Sequence, residues 1–109
     1  MDSFLKEFKL KAKIFDIVFY RGGKNDDTLL QIGISAKKRE ELIMEVDIEN
    51  YYRGPTADDD PDRPVYFEFG VQYNRQEIYI KLSLGKFDNS PHCMSFHIAE
   101  RPLNYPLRK

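Results

Sequence analysis

A chain of 109 residues has room for one domain, 1–109, and folding at that length buries roughly two-thirds of the unfolded surface, enough for one core. Hydrophobic residues make up 41%, charged residues 32% and aromatic residues 14%, the last all Phe and Tyr, a balance that excludes a disordered chain. The formal net charge of -1 excludes a general electrostatic pull on nucleic acid, so such a role would need a local basic patch, and the single Cys93 excludes an internal disulfide.

The polar start from Met1 to Lys13 lacks the apolar run of a signal peptide, and no later stretch reads as membrane-spanning; the cytoplasm is the expected compartment. Ser3 is placed to cap a short helix in which Phe4, Leu5, Phe8 and Ala12 share a side while Lys6, Lys9 and Lys13 face water. Ile14 to Tyr20, rich in β-branched and aromatic residues and stopped by Gly22-Gly23, predicts a strand with Phe15, Ile17 and Phe19 on its core face. Lys24 to Asp27 reads as a polar turn, and Gly22-Gly23-Lys24 lacks the spacing of a phosphate-cradling loop. Leu29, Leu30 and Ile32 lead to Gly33, after which Ser35 caps a helix over Ala36 to Val46 with Leu42, Ile43 and Val46 at helical spacing. Tyr51-Tyr52-Arg53-Gly54-Pro55 closes that unit, and Asp58 to Asp62 with Arg63-Pro64 forms an acidic, proline-broken loop.

Three strands follow. Val65 to Val71 alternates Phe67, Phe69 and Val71 against Tyr66, Glu68 and Gly70; Gln76 to Leu84 alternates Ile78, Ile80, Leu82 and Leu84 against Glu77, Tyr79, Lys81 and Ser83. Gln72 to Arg75 is short enough for a hairpin, and the Gly85 to Pro91 loop leads to His92 to Ile98, where His92, Met94, Phe96 and Ile98 oppose Cys93, Ser95 and His97. Such runs pair as an antiparallel meander that buries one face, so the other displays Glu68, Tyr79, Lys81, Ser95 and His97 together. The prolines of Arg101 to Pro106 cannot continue a ladder, and this segment wraps over the fold as an extended tail.

A carboxylate, an imidazole, a phenol and an ammonium on one surface are a toolkit for moving protons and holding a phosphate, although any sheet surface facing solvent is polar. His titrates near ~6.5, and a positioned acid or base contributes about 10²- to 10⁴-fold in rate. The Asp58 to Asp62 carboxylates suit a hard cation, but Pro61 and the missing glutamate-terminated loop favour a solvated turn. His92, Cys93 and His97 suggest zinc, yet alternation sends His92 away from the other two, and no metal or cofactor is expected. Cys93 reads as a packing residue rather than a nucleophile.

Ile34-Ser35-Ala36-Lys37-Lys38-Arg39 through Asn50-Tyr51-Tyr52-Arg53, then Glu77-Ile78-Tyr79-Ile80-Lys81-Leu82, then Met94-Ser95-Phe96-His97 form an ordered set of motifs. Together they resemble the MqsR family, the mRNA interferase toxins of type II toxin-antitoxin systems. The resemblance spans roughly residues 34–97. It implies an α+β, RelE-like fold, with helices packed on one face of an antiparallel sheet of about four strands. It also implies an endoribonuclease that works on mRNA, free or on the ribosome, and a cognate antitoxin as protein partner.

Carried over by position, the family's phosphate-binding lysine after the Tyr pair falls at Arg53, its strand tyrosine at Tyr79 and its terminal strand lysine at His97, while Glu68 falls near its polar active-site residue. The implied reaction is metal-independent attack of the ribose 2′-hydroxyl on the adjacent phosphate, which needs a base, an acid and cations. His97 is expected as acid or base with Glu68 as its counterpart, Arg53 and Lys81 on phosphate, and Tyr79 positioning the substrate. The competing reading is a non-catalytic protein-interaction module of the same fold.

Overall fold

The computed structural model describes residues 1–85 and 89–108, with the backbone alone at Asp26. Its elements run α1 (Asp2–Phe15), β1 (Val18–Phe19), α2 (Gly23–Gln31), α3 (Ala36–Met44), a 3-10 turn (Ile48–Asn50), β2 (Tyr51–Thr56), β3 (Tyr66–Tyr73), β4 (Gln76–Ser83) and β5 (His92–Ile98). The class is α+β. Among the described residues the sheet has five strands in the order β1-β5-β4-β3-β2 and is mixed, because β1 runs parallel to β5 while the other neighbours are antiparallel. This corrects the expectation of about four antiparallel strands.

The apolar stripe of α1 is Phe4, Leu5, Phe8 and Ala12, all buried, as its spacing predicts; Met1 rather than Ser3 occupies the cap position. The helix then continues into the segment expected as a strand. Asp16 donates its N–H to Ala12 O at 3.0 Å, and its positive φ of 65° ends the helix, leaving two residues for β1. Val18 N–H to Pro91 O (2.9 Å) and Tyr20 N–H to Cys93 O (3.0 Å) hold that strand to β5. Phe15, expected in the core, is 41% exposed, whereas Ile17 and Phe19 pack against the core edge.

The expected turn at 24–27, with Gly22-Gly23-Lys24 as its start, is instead the opening of α2. Its sequence has weak intrinsic helix preference; the reason for the helix lies across the chain, on the outer edge of β5. Asn25 donates to Tyr20 O (3.3 Å) and Met94 O (3.1 Å) and accepts from Phe96 N–H (3.0 Å), and Thr28 Oγ1 accepts from Ile98 N–H (3.3 Å). Two helix side chains thus satisfy the strand edge that the short β1 leaves unpaired. Ser35 caps α3 as expected, its hydroxyl accepting from Lys38 N–H at 3.0 Å, and Ile43 and Val46 are buried.

Tyr51 to Pro55 forms edge strand β2 rather than a closing turn. Pro55 has no donor to lose at an edge. β3 and β4 meet in the expected hairpin through Asn74 and Arg75, both at positive φ (51° and 63°), the two-residue geometry that matches strand twist. The core joins Phe4, Phe8, Ile43 and Val46 to Phe69, Val71, Ile78, Ile80 and Leu82 from the apolar sheet face, with Phe4 4.2 Å from the Phe67 ring. The loop expected over 85–91 includes residues 86–88, which lie outside the described residues.

On β5 the simple alternation fails. Lys81 pairs with Ser95 but Leu82 pairs with Cys93, so one extra residue bulges out between them. The bulge reverses the parity of the strand's first half: Cys93 joins Phe96 in the core, and His92 moves to the side of Ser83, its register partner.

Candidate functional site

Neighbouring strands β2 to β5 each send one predicted residue to the same region. Register sets Arg53 opposite Glu68, Glu68 opposite Lys81, and Tyr79 opposite His97. Arg53 Nε lies 3.0 Å from both carboxylate oxygens of Glu68, and the Tyr79 hydroxyl donates to Glu68 Oε2 at 2.7 Å. The His97 ring sits 5.1 Å from the Tyr79 ring, and the Tyr52 ring lies 4.9 Å below the Arg53 guanidinium.

Glu68 was expected on display, yet its side chain is only 2% exposed while that of Arg53 is 63% exposed. The buried carboxylate therefore sits beneath the surface and orders the two groups that cover it. That network raises Arg53 above its ordinary guanidinium range, through the hydrogen bond and charge of Glu68. Burial first, and then Glu68, push the Tyr79 phenol well above its usual range, so it stays a proton donor at neutral pH.

The His97 ring contacts the backbone. Its Nδ1 is 2.9 Å from Ile98 O, and a carbonyl only accepts, so Nδ1 carries the proton of this contact and Nε2 of the neutral ring is an acceptor. The ring lines a cleft of about 250 Å³ together with Tyr52, Arg53, Tyr79, Ala99, Glu100, Arg101 and Leu103. Three of the five predicted residues thus share the cleft, and Glu68 underlies it. Lys81 does not line it; its ammonium rests 4.3 Å over the Tyr66 ring, on the flank.

Sequence reasoning missed the part of the wall supplied by 99–103. Strand periodicity ends before this segment, and the one local signal there is Arg101, a cation directly before Pro102.

Elsewhere on the molecule the other motifs resolve. Asp58 and Asp60 turn their carboxylates to the backbone N–H groups of Asp60 and Asp62 (3.0 Å each), and among the described residues no three His, Cys, Asp or Glu side chains converge as a metal site. Contrary to simple alternation, His92 and His97 share a face and Cys93 is the one turned inward. Burial pushes the Cys93 thiol up to about 12. His92 accepts or donates at 2.9 Å with the Tyr20 hydroxyl, and burial followed by the charges of Arg63 and Lys11 holds it below its ordinary range. Among the described residues no helix is long and apolar enough to cross a membrane.

Comparison of the chain with protein-family models, with curated proteins and with solved structures gives no match.

Proposed function

We propose that this chain is an endoribonuclease toxin of the MqsR type, RelE-like in fold, that cleaves mRNA and is neutralised in the cytoplasm by a cognate antitoxin. The observation that supports this reading is the convergence of Arg53, Tyr79 and the Nε2-accepting His97 on one cleft over the buried Glu68. In the proposed reaction His97 Nε2 takes the proton of the ribose 2′-hydroxyl, whose oxygen attacks the neighbouring phosphorus. The bond from phosphorus to the 5′-oxygen breaks, that oxygen takes a proton from water in the open cleft, the His97 imidazolium returns its proton to the hydroxide so formed, and a 2′,3′-cyclic phosphate remains. Arg53 offers its outward N–H groups to the charge that develops on the phosphate, and Tyr79 presents a ring for a base to stack on.

In this scheme Glu68 positions Arg53 and Tyr79 rather than acting as the second acid or base, because both its oxygens are engaged beneath them. The test is cleavage of a synthetic RNA by the purified chain, with and without ribosomes. The unmodified protein is expected to cleave, and His97→Ala to be slower by about 10²- to 10⁴-fold. Intact RNA under both conditions with folded protein, or an undiminished His97→Ala, refutes the enzyme reading and favours a non-catalytic interaction module.

A further inference from the structure

The chain does not leave the sheet freely after β5. Ala99 donates its N–H to Glu77 O at 2.8 Å, and the prolines then prevent further pairing, so the strand must peel away. It peels across the polar face instead of into solvent. The Glu77 carboxylate holds it there with both oxygens: Leu103 N–H donates to Oε1 at 3.0 Å and the Tyr105 hydroxyl to Oε2 at 2.6 Å. The seat is Gly70 on β3, where a Cβ would stand 2.2 Å from the Tyr105 hydroxyl and 2.6 Å from Leu103 Cδ1. A side chain at 70 would push the ends of the Tyr105 and Leu103 side chains off the sheet, so the glycine lets the tail lie this close.

Between the last ladder bond and the Glu77 clamp lies Arg101. It is exposed, lines the same cleft as Arg53 and His97, and makes no hydrogen bond or ion pair among the described residues. Its neighbour Glu100, also on the cleft wall, is ion-paired with Lys24 and feels the Arg101 charge only as a lesser influence. A second cation thus lines the same cleft as Arg53, on a stretch of wall held at both ends.

We infer that the clamped tail is a substrate-binding wall and that Arg101 contacts a phosphate next to the one being cleaved, so the preferred substrate is single-stranded RNA carrying at least two consecutive phosphates. Glu77 is the positioning residue that holds this wall. The inference rests on the endoribonuclease reading and adds to it a substrate length and a residue pair.

The experiment compares a dinucleotide substrate, which has the scissile phosphate alone, with a tetranucleotide, and measures binding of an all-deoxy tetranucleotide as the uncleavable probe. Arg101→Ala is expected to raise KM about tenfold on the tetranucleotide, the order of one lost charge-assisted contact, with kcat held and the dinucleotide unaffected. For the deoxy probe the slope of log affinity against log salt should fall by about 0.7. Glu77→Gln should raise KM on the tetranucleotide only, and the Glu77→Gln/Arg101→Ala double variant should be no worse than Arg101→Ala, because the two act on one contact.

If the unmodified protein cleaves both substrates but Arg101→Ala leaves KM and the salt slope unchanged, the inference falls and the endoribonuclease reading stands. If the unmodified protein neither cleaves RNA nor binds the probe, both fall. Arg101→Gln, which keeps the length of the side chain without its charge, serves as the second variant and is expected to match Arg101→Ala.

Discussion

Replacing Tyr79 by Phe removes one hydroxyl and nothing else, and the hydroxyl it removes is a donor to a carboxylate that is only 2% exposed. Arg53 remains on Glu68 through Nε, so the carboxylate is left under-satisfied rather than bare. Hydrogen bonds to charged groups contribute about 1.5–3 kcal/mol, and this is the expected loss of stability at pH 7. With a urea m-value of about 1.5 kcal/mol per M, the unfolding midpoint should drop by about 1–2 M.

The same substitution has a signature in alkali. An unfolded tyrosine ionises near ~10, whereas folded Tyr79 is pushed well above that by burial and by Glu68, so above pH ~10 the unfolded chain holds fewer protons than the folded one. Stability conferred by the protonated phenol is complete below pH ~10 and declines as pH rises, with a slope of at most about 1.4 kcal/mol per pH unit per such group. Tyr105, raised by burial and Glu77, adds a second contribution of the same sign. Urea unfolding followed by circular dichroism from pH 7 to 11 should therefore show a shallower alkaline decline in Tyr79→Phe than in the unmodified protein. An unchanged midpoint at pH 7 together with an identical alkaline slope would refute the role assigned to the Tyr79–Glu68 bond.

Two further outcomes follow from local geometry. The Cys93 thiol, pushed up to about 12 by burial in the core, should resist iodoacetamide at pH 8 in the native protein and be alkylated only in urea, read by intact mass; rapid native labelling would contradict the core assignment made by the β5 bulge. Gly54→Ala places a Cβ 2.9 Å from Tyr66 O at a φ of 121°, which should cost about 1–3 kcal/mol in denaturant unfolding and loosen Arg53 one residue away; a neutral substitution would mean that β2 is not seated against β3 as described.

The elements legible in the sequence are those whose signal is local. Phe4, Leu5, Phe8 and Ala12 mark the buried side of α1, Ser35 caps α3, and the period-two pattern of β3 and β4 assigns Phe69, Val71, Ile78, Ile80 and Leu82 to the core. The same alternation sets Tyr79, Lys81 and His97 on the opposite face, whereas Arg53 lies outside the three alternating runs and enters only through the resemblance of its Asn50-Tyr51-Tyr52-Arg53 motif. Pattern and cap need only neighbours in the chain, so they are readable without a fold.

Tertiary structure decided the rest, because its causes are distant in sequence. α2 forms where propensity is weak because Asn25 and Thr28 satisfy the edge of β5, about 70 residues on. A one-residue bulge turned Cys93 inward, which alternation cannot anticipate. Glu68 alternates as an outward residue, and only the meeting of Arg53 from an edge strand and Tyr79 from β4 buries it and makes it a support for the cleft. Gly70, silent in the sequence as one more polar-face position of β3, turns out to be the seat for the Leu103 and Tyr105 side chains of a tail that Glu77 pins across the sheet, because the space those side chains need is set by a segment about 30 residues away.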